Sequence, residues 1–152
     1  MNWTNRLAQG TSMWIAALVL AGCASMGGDR AVEVRLSGAE EVPPVTTSAS
    51  GTGTVTVRED RSVSGVIRTQ GVAGVAAHIH EGAAGQNGPV IVPMDKTGEN
   101  EWTTRPGAKL DEKQYAAYKA GRLYFNVHSA KFKGGEIRAQ IRPSGGSGSG
   151  GY

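Results

Sequence analysis

Hydrophobic and polar residues alternate along most of the middle of the chain, as they do in strands that bury one face. Val32, Val34 and Leu36 alternate with polar neighbours in AVEVRLS, and Val55 and Val57 repeat the pattern in GTGTVTVRED. Further strand-like segments follow in the order SVSGVIRTQG, VAAHIHEG, VIVPM, EWTTR, RLYFNVHS and GGEIRAQIRP. The proline of VIVPM indicates a sheet edge or a strand end. The pattern predicts about eight short strands.

One segment, DEKQYAAYKAG, has a helical pattern instead. Tyr115 and Tyr118 are three residues apart, Asp111 or the turn before it can cap the N-terminus, and Gly121 can end the helix. We therefore expect one short helix near 111–120. Eight strands with one helix predict an all-β fold, an antiparallel Greek-key sandwich or barrel.

The N-terminus has the features of a bacterial lipoprotein signal. The apolar run Met13–Leu20 is too short for a membrane-spanning helix, which needs about 20 apolar residues. The run ends in LAGC, and this Cys23 is the only cysteine of the chain. We expect residues 1–22 to be removed and Cys23 to be lipidated, which anchors the protein to a membrane without spanning it. An ordinary secretory signal with a chance cysteine is the alternative.

Composition divides the remaining chain into three parts. Residues 23–30 are expected to form a lipidated flexible tether, residues 31–143 one folded domain, and residues 144–152 a disordered Gly/Ser tail. The formal net charge of +3 is small and scattered, so nucleic acid is not an expected partner. The expected partners are the membrane and an unidentified envelope protein.

The signal also predicts the location of the protein. Ala24 follows the cysteine, which fits sorting to the outer membrane, facing the periplasm, where the cell has two membranes. With one membrane, the anchor places the protein on the outer face of the cytoplasmic membrane.

The three histidines of the chain are the strongest candidates for chemistry. His78 and His80 form an H-x-H pair, and alternate residues of a strand point to the same side. His128 shares one face of a later strand with Tyr124 and Asn126. If the two strands are neighbours, three imidazoles can bind one metal ion, with copper expected and zinc as the alternative. A polar network or an exposed patch would explain the same residues without a metal.

Three further residues are weaker candidates at this site. Glu41 in GAEEVPPV and Asn126 are expected to orient a histidine without contacting the metal. Met94 offers a soft sulfur ligand. A solvated loop carboxylate explains Glu41 at least as well, and core packing is the more usual role of a lone methionine such as Met94. No catalytic residue is assigned, because the chain lacks nucleophile–base, phosphate-loop and dinucleotide motifs.

Four segments, LSGAEEVPPV, AAHIHEGAAGQNGPVIV, LYFNVHS and GGEIRAQI, together resemble the chordin-type (CHRD) domain. The resemblance covers nearly all of residues 32–142 and keeps the order and spacing of the family. In bacteria such domains often occur alone in secreted proteins, and in animals they occur within chordin, an extracellular growth-factor antagonist. The resemblance implies the fold more than the function.

A more distant likeness concerns the histidines. HIHEG and the later GRLYFNVHS are similar to the copper-binding strands of Cu/Zn superoxide dismutase, which implies His78, His80 and His128 as copper ligands. A two-metal centre is excluded because only three histidines are present, and the family's disulfide lacks its cysteines. Arg138 is expected on the surface or in an ion pair, and the likeness to dismutases implies a place near the metal site as the alternative.

Three functions are therefore compatible with the sequence. The first is an envelope lipoprotein that binds copper for storage, delivery or protection. The second is an interaction or structural module of the envelope without a metal. The third is a mononuclear copper redox enzyme similar to superoxide dismutase. The sequence does not decide whether the protein is an enzyme, although it favours binding.

Overall fold

The computed structural model describes residues 30–143. The predicted signal peptide, Cys23, all of the tether but its last residue, and the Gly/Ser tail lie outside the described residues. The strands are β1 (Val32–Ser37), β2 (Ser50–Val57), β3 (Val63–Gln70), β4 (Gly74–Glu81), β5 (Val90–Gly98), β6 (Glu101–Thr104), β7 (Leu123–Ser129) and β8 (Ile137–Ile141). The helix α1 (Glu112–Lys119) lies between β6 and β7, and one 3-10 turn spans Gly38–Glu40.

The eight strands form a closed antiparallel barrel in the order β1-β2-β3-β6-β5-β4-β7-β8. Strands β4, β5 and β6 follow one another as neighbours, whereas β3 lies beside β6 rather than beside β4. This is a Greek-key connection, and it brings β4 next to β7, which is far away in sequence. The predicted all-β fold of about eight strands is confirmed.

The barrel interior is filled by one face of each strand. On β7 these residues are Leu123, Phe125 and Val127, all essentially inaccessible to solvent, as the alternation predicts. Phe125 reaches the opposite wall at Gly53, where an added Cβ would lie 2.8 Å from the aromatic ring. Gly53 therefore makes room for the fully buried ring of Phe125.

The helix begins and ends where the sequence predicts. The Asp111 carboxylate accepts a hydrogen bond from the Gln114 backbone N–H at 2.8 Å, and the Gln114 side chain accepts one from the Asp111 N–H at 2.9 Å. This capping box satisfies amides that the first turn leaves unpaired. Gly121 follows the helix with a φ of +67°. Within the described residues no helix is long and apolar enough to cross a membrane.

Strand β5 is longer than the short run VIVPM indicates, because it continues beyond Pro93 to Gly98. The ladder between β5 and β6 starts at the pair Met94 and Thr104. Pro93 therefore needs no N–H on that side, and the proline marks a local edge within the strand rather than its end.

Two loops cover the outer face of β4, β7 and β8. These covering loops are residues 38–49, between β1 and β2, and residues 82–89, between β4 and β5. The side-chain amide of Asn87 joins them by donating to the Val42 carbonyl at 2.7 Å. Because of this cover, the outer face of the barrel is buried here although its residues are polar.

Candidate metal centre

The three histidines lie side by side on this outer face. The register of the ladder pairs Ala76 with His128 and His78 with Asn126, so His78, His80 and His128 occupy adjacent outward positions on β4 and β7. We call these three residues the histidine cluster. One ring nitrogen from each residue can be chosen so that all three lie within 4.8 Å of one another. The structure thus brings the three predicted ligands together.

Backbone carbonyls determine which nitrogens of the cluster carry protons. His80 Nδ1 lies 3.0 Å from the Gly88 carbonyl oxygen, and His128 Nδ1 lies 2.9 Å from the Lys133 carbonyl oxygen. A carbonyl oxygen can only accept, so both Nδ1 atoms carry hydrogen. The Nε2 atoms of His80 and His128 are therefore unprotonated and carry the lone pairs that metal ligands require.

His78 completes the cluster with its other nitrogen. Its Nδ1 lies 3.1 Å from His128 Nε2, so the Nδ1–H of His78 donates to the lone pair of His128. Nitrogens bound to one tetrahedral ion, at about 2.0–2.1 Å from it, are about 3.3 Å apart. A cation can take the place of the proton between these two nitrogens if His78 changes tautomer. The proton then sits on His78 Nε2, and His78 Nδ1 has a lone pair for the metal. The ligand set is then His78 Nδ1, His80 Nε2 and His128 Nε2.

The least accessible ligand atom is His80 Nε2. It is buried and has no hydrogen-bond partner among the described residues. A buried nitrogen lone pair without a partner is unfavourable, and a metal ion would satisfy it. His78 and His128 are half-buried, so solvent reaches the cluster from their side.

Burial favours the neutral forms of His78 and His80. Burial, together with the neighbouring His128 and His80, lowers the pKa of His78 from 6.5 to about 4. Burial also lowers the pKa of His80, although the Gly88 carbonyl opposes this effect. Both side chains are therefore neutral at pH 7, which is the form that binds metals.

Glu41 and Asn126 lie beside the cluster but do not orient it as predicted. The Asn126 amide donates to Glu41 Oε2 at 3.4 Å and to the Gly134 carbonyl at 3.5 Å, not to a histidine. Glu41 is only 4% exposed, so the alternative of a solvated loop carboxylate is also wrong. Burial raises its pKa from 4.5 to about 7, against the opposing effects of Arg138 and Asn126. The carbonyls of Gly88 and Lys133 orient the histidines instead.

Met94 is not part of the site. It pairs with Ala77 across the β4–β5 ladder, and both residues belong to the buried hydrophobic core. Ala77 and His78 are successive residues of one strand, so their side chains point to opposite faces of the sheet. The Met94 sulfur therefore lies inside the barrel, and the histidines lie outside it.

Two residues beside the cluster are more buried than the sequence predicts. The Tyr124 ring stacks on the His80 ring with centroids 4.9 Å apart and an interplanar angle of 12°. Arg138, expected on the surface or in an ion pair, is only 1% exposed, and its guanidinium carbon lies 3.5 Å from the Tyr124 ring centre. The alternation placed Tyr124 on the polar face, but nothing in the local pattern indicated that loops would bury it.

A tight contact places the Gly88 carbonyl beside His80. The Gly88 N–H donates to the Tyr124 hydroxyl at 3.1 Å. A Cβ on Gly88 would collide with the backbone carbonyl of Glu81, so only glycine lets the loop approach β4 this closely. The position of the loop is thus part of the site.

These features define a class of protein, a closed eight-stranded Greek-key barrel with three histidines clustered beneath its covering loops. The chain belongs to the CHRD domain family, since the model of that family matches residues 32–141. The resemblance found in the sequence is thereby confirmed. No curated protein and no solved structure matches the chain significantly.

Proposed function

We propose that the protein binds one copper ion per chain through the histidine cluster and serves in storage, delivery or protection. The observation that carries this proposal is the convergence of three imidazole nitrogens within 4.8 Å, one of them buried without a partner among the described residues. A polar network without a metal would be expected to satisfy His80 Nε2 with a protein donor.

Copper is favoured by the donor set. Imidazole nitrogens suit copper, zinc, iron and nickel, and copper binds most tightly among the first-row divalent ions. Three protein ligands leave a coordination position free, and the half-exposed His78 and His128 give solvent and small molecules access to it. Such access suits an ion that is taken up and passed on, and zinc is the alternative ion.

The place of action is proposed from the sequence alone. LAGC at the end of the apolar N-terminal run supports lipidation of Cys23 and anchoring in the cell envelope. Labelling cells with a radioactive fatty acid tests this proposal. The wild-type chain should carry the label, and the variant Cys23→Ser should carry none; equal labelling of both would refute the anchor.

Metal analysis of residues 24–152 tests the copper site. The protein is loaded with copper or zinc, desalted and measured beside a variant in which all three histidines are alanine. We expect one copper per chain in the wild type and none in the variant, with circular dichroism showing the same β content in both. The single variant His128→Gln, at a half-exposed position, is the milder control for folding.

The other two functions are distinguished by the same samples. If the correctly folded wild type retains no metal, the copper proposal is wrong and the interaction module is favoured. If the copper protein consumes superoxide faster than the same concentration of free copper, the redox enzyme is favoured over a binding protein.

A further inference from the structure

A buried positive charge lies next to the histidine cluster. Arg138 on β8 contacts the Tyr124 ring, and that ring stacks on His80, which supplies the most buried ligand nitrogen. The guanidinium carbon lies 3.5 Å from the Tyr124 ring centre, which is 4.9 Å from the His80 ring centre. The guanidinium carbon is therefore about 8 Å or less from the His80 ring centre. At this distance a charge in a protein interior has a sizeable effect on the energy of a second charge.

The hydrogen-bond acceptors of this guanidinium are all neutral. Its nitrogens donate to the carbonyls of Ala83 and Gln86 at 3.2 and 2.9 Å, and to the amide oxygens of Asn87 and Gln140 at 3.2 and 3.4 Å. These bonds satisfy the donors without cancelling the charge. Arginine does not lose its proton inside proteins, so the positive charge is permanent.

The ligands of the cluster contribute no negative charge either. All three are imidazoles, which bind metals as neutral groups. The buried Glu41 carboxyl accepts a hydrogen bond from Asn126, and although Arg138 acts on its pKa, that pKa of about 7 leaves the carboxyl mostly uncharged at pH 6. A cation in the cluster would therefore meet neutral donors on one side and a fixed positive charge on the other.

We propose that the site is built for monovalent copper, and that Arg138 sets this preference through its charge. The inference rests on the proposed copper function and specifies the oxidation state of the ion. Repulsion by Arg138 is twice as large for Cu(II) as for Cu(I). With about 10 Å between the charges and an effective dielectric constant of about 20, the difference changes the ratio of the two affinities about tenfold.

Arg138 also has a structural effect, which the experiment must separate from its charge. Its bonds to Ala83 and Gln86 hold the loop that presents the Gly88 carbonyl to His80. Loss of these hydrogen bonds would weaken the binding of copper in both oxidation states. Loosened ligands also change the ratio of the two affinities, because the two oxidation states prefer different geometries, so a variant that loses the hydrogen-bond fork but keeps the charge must be measured too.

The test is a pair of competition titrations, with one colour-forming chelator for Cu(I) and another for Cu(II), on residues 24–152 at pH 6. At this pH the Glu41 carboxyl is mostly protonated, because its pKa is about 7. The variants are Arg138→Gln, which removes the charge, and Arg138→Lys, which keeps it but loses the planar fork. Arg142→Gln, four residues along at an exposed position, is the matched control.

We expect the wild type to bind Cu(I) more tightly than Cu(II). In Arg138→Gln the ratio of the Cu(I) to the Cu(II) binding constant should fall about tenfold, which lowers the potential of the one-electron couple by about 59 mV. Arg138→Lys should keep most of the ratio, and Arg142→Gln all of it.

An unchanged ratio in a copper-binding Arg138→Gln protein would overturn this inference, and so would tighter wild-type binding of Cu(II). If Arg138→Gln does not fold, the order of the two wild-type affinities decides the question. A wild type that binds copper in neither oxidation state would instead refute the proposed function, so the two failures are distinguishable.

Discussion

Replacing Glu41 with glutamine should make the protein more stable above neutral pH. The Glu41 side chain is 4% exposed, and its Oε1 atom has no hydrogen-bond partner among the described residues. Burial raises its pKa from 4.5 to about 7, with Arg138 and Asn126 opposing the shift. Glutamine has the same shape but no charge, so the substitution removes the cost of ionisation in a buried place.

The sign and size of the effect follow from proton linkage. Because its pKa is higher in the folded protein, the carboxyl stabilises the fold fully below pH 4.5, and this contribution is lost as the pH rises through 7. Each pKa unit corresponds to about 1.4 kcal/mol, so the full shift makes about 3 kcal/mol of the unfolding free energy depend on pH. Glu41→Gln should abolish this pH-dependent contribution to the unfolding free energy.

Urea unfolding of residues 24–152 at pH 5 and pH 8 measures the effect. Trp102, the only tryptophan in that range and a buried one, reports unfolding by its fluorescence. Between pH 5 and pH 8, which covers most of this shift, the wild type should lose about 2.5 kcal/mol relative to Glu41→Gln. The contributions of the histidines occur in both proteins and cancel in this difference.

The exposed neighbour Glu40 provides the control. Glu40→Gln should follow the pH dependence of the wild type. If Glu41→Gln and the wild type lose the same free energy between the two pH values, Glu41 is ionised in the folded protein at pH 5, and the reasoning from burial is wrong.

Three further substitutions test other parts of the structure. Val34→Asp places a charge against the core and should cost about 2 kcal/mol or more of stability, so a normal melting temperature would contradict the packing of β1. Gly88→Ala should weaken copper binding at least about tenfold, because the collision with Glu81 displaces the carbonyl that orients His80; copper competition measures this. His128→Ala should abolish tight copper binding and leave the circular dichroism spectrum unchanged, and wild-type affinity would refute its role as a ligand.

The parts of the fold that sequence analysis predicts are those determined by local patterns. Alternation along β7 places Leu123, Phe125 and Val127 in the core, and the structure agrees. The helix is indicated by its cap at Asp111 and its end at Gly121. The H-x-H spacing predicts two imidazoles on one face, because side-chain direction in a strand depends only on the parity of the position.

The features that the sequence leaves open are contacts between distant segments. Whether Met94 faces the histidines depends on the register between β4 and β5, which one residue of shift reverses. The register of this ladder shifts between Ile79 and His80, and no pattern in the sequence predicts the shift. Glu41 looked like a solvated loop residue because its burial depends on how the loop folds back onto β7.

The candidate site joins these two kinds of information. Strand parity brings imidazoles to one face, but backbone carbonyls of Gly88 and Lys133 decide which nitrogen of His80 and His128 is free. Every residue except proline has the same backbone groups, so side-chain chemistry in the sequence cannot reveal this role. Gly88 is the one of these two residues whose identity matters, because a Cβ at this position would collide with the Glu81 carbonyl on β4. A glycine-rich loop after an H-x-H strand is therefore more than a connection, because its backbone prepares the ligands for the ion.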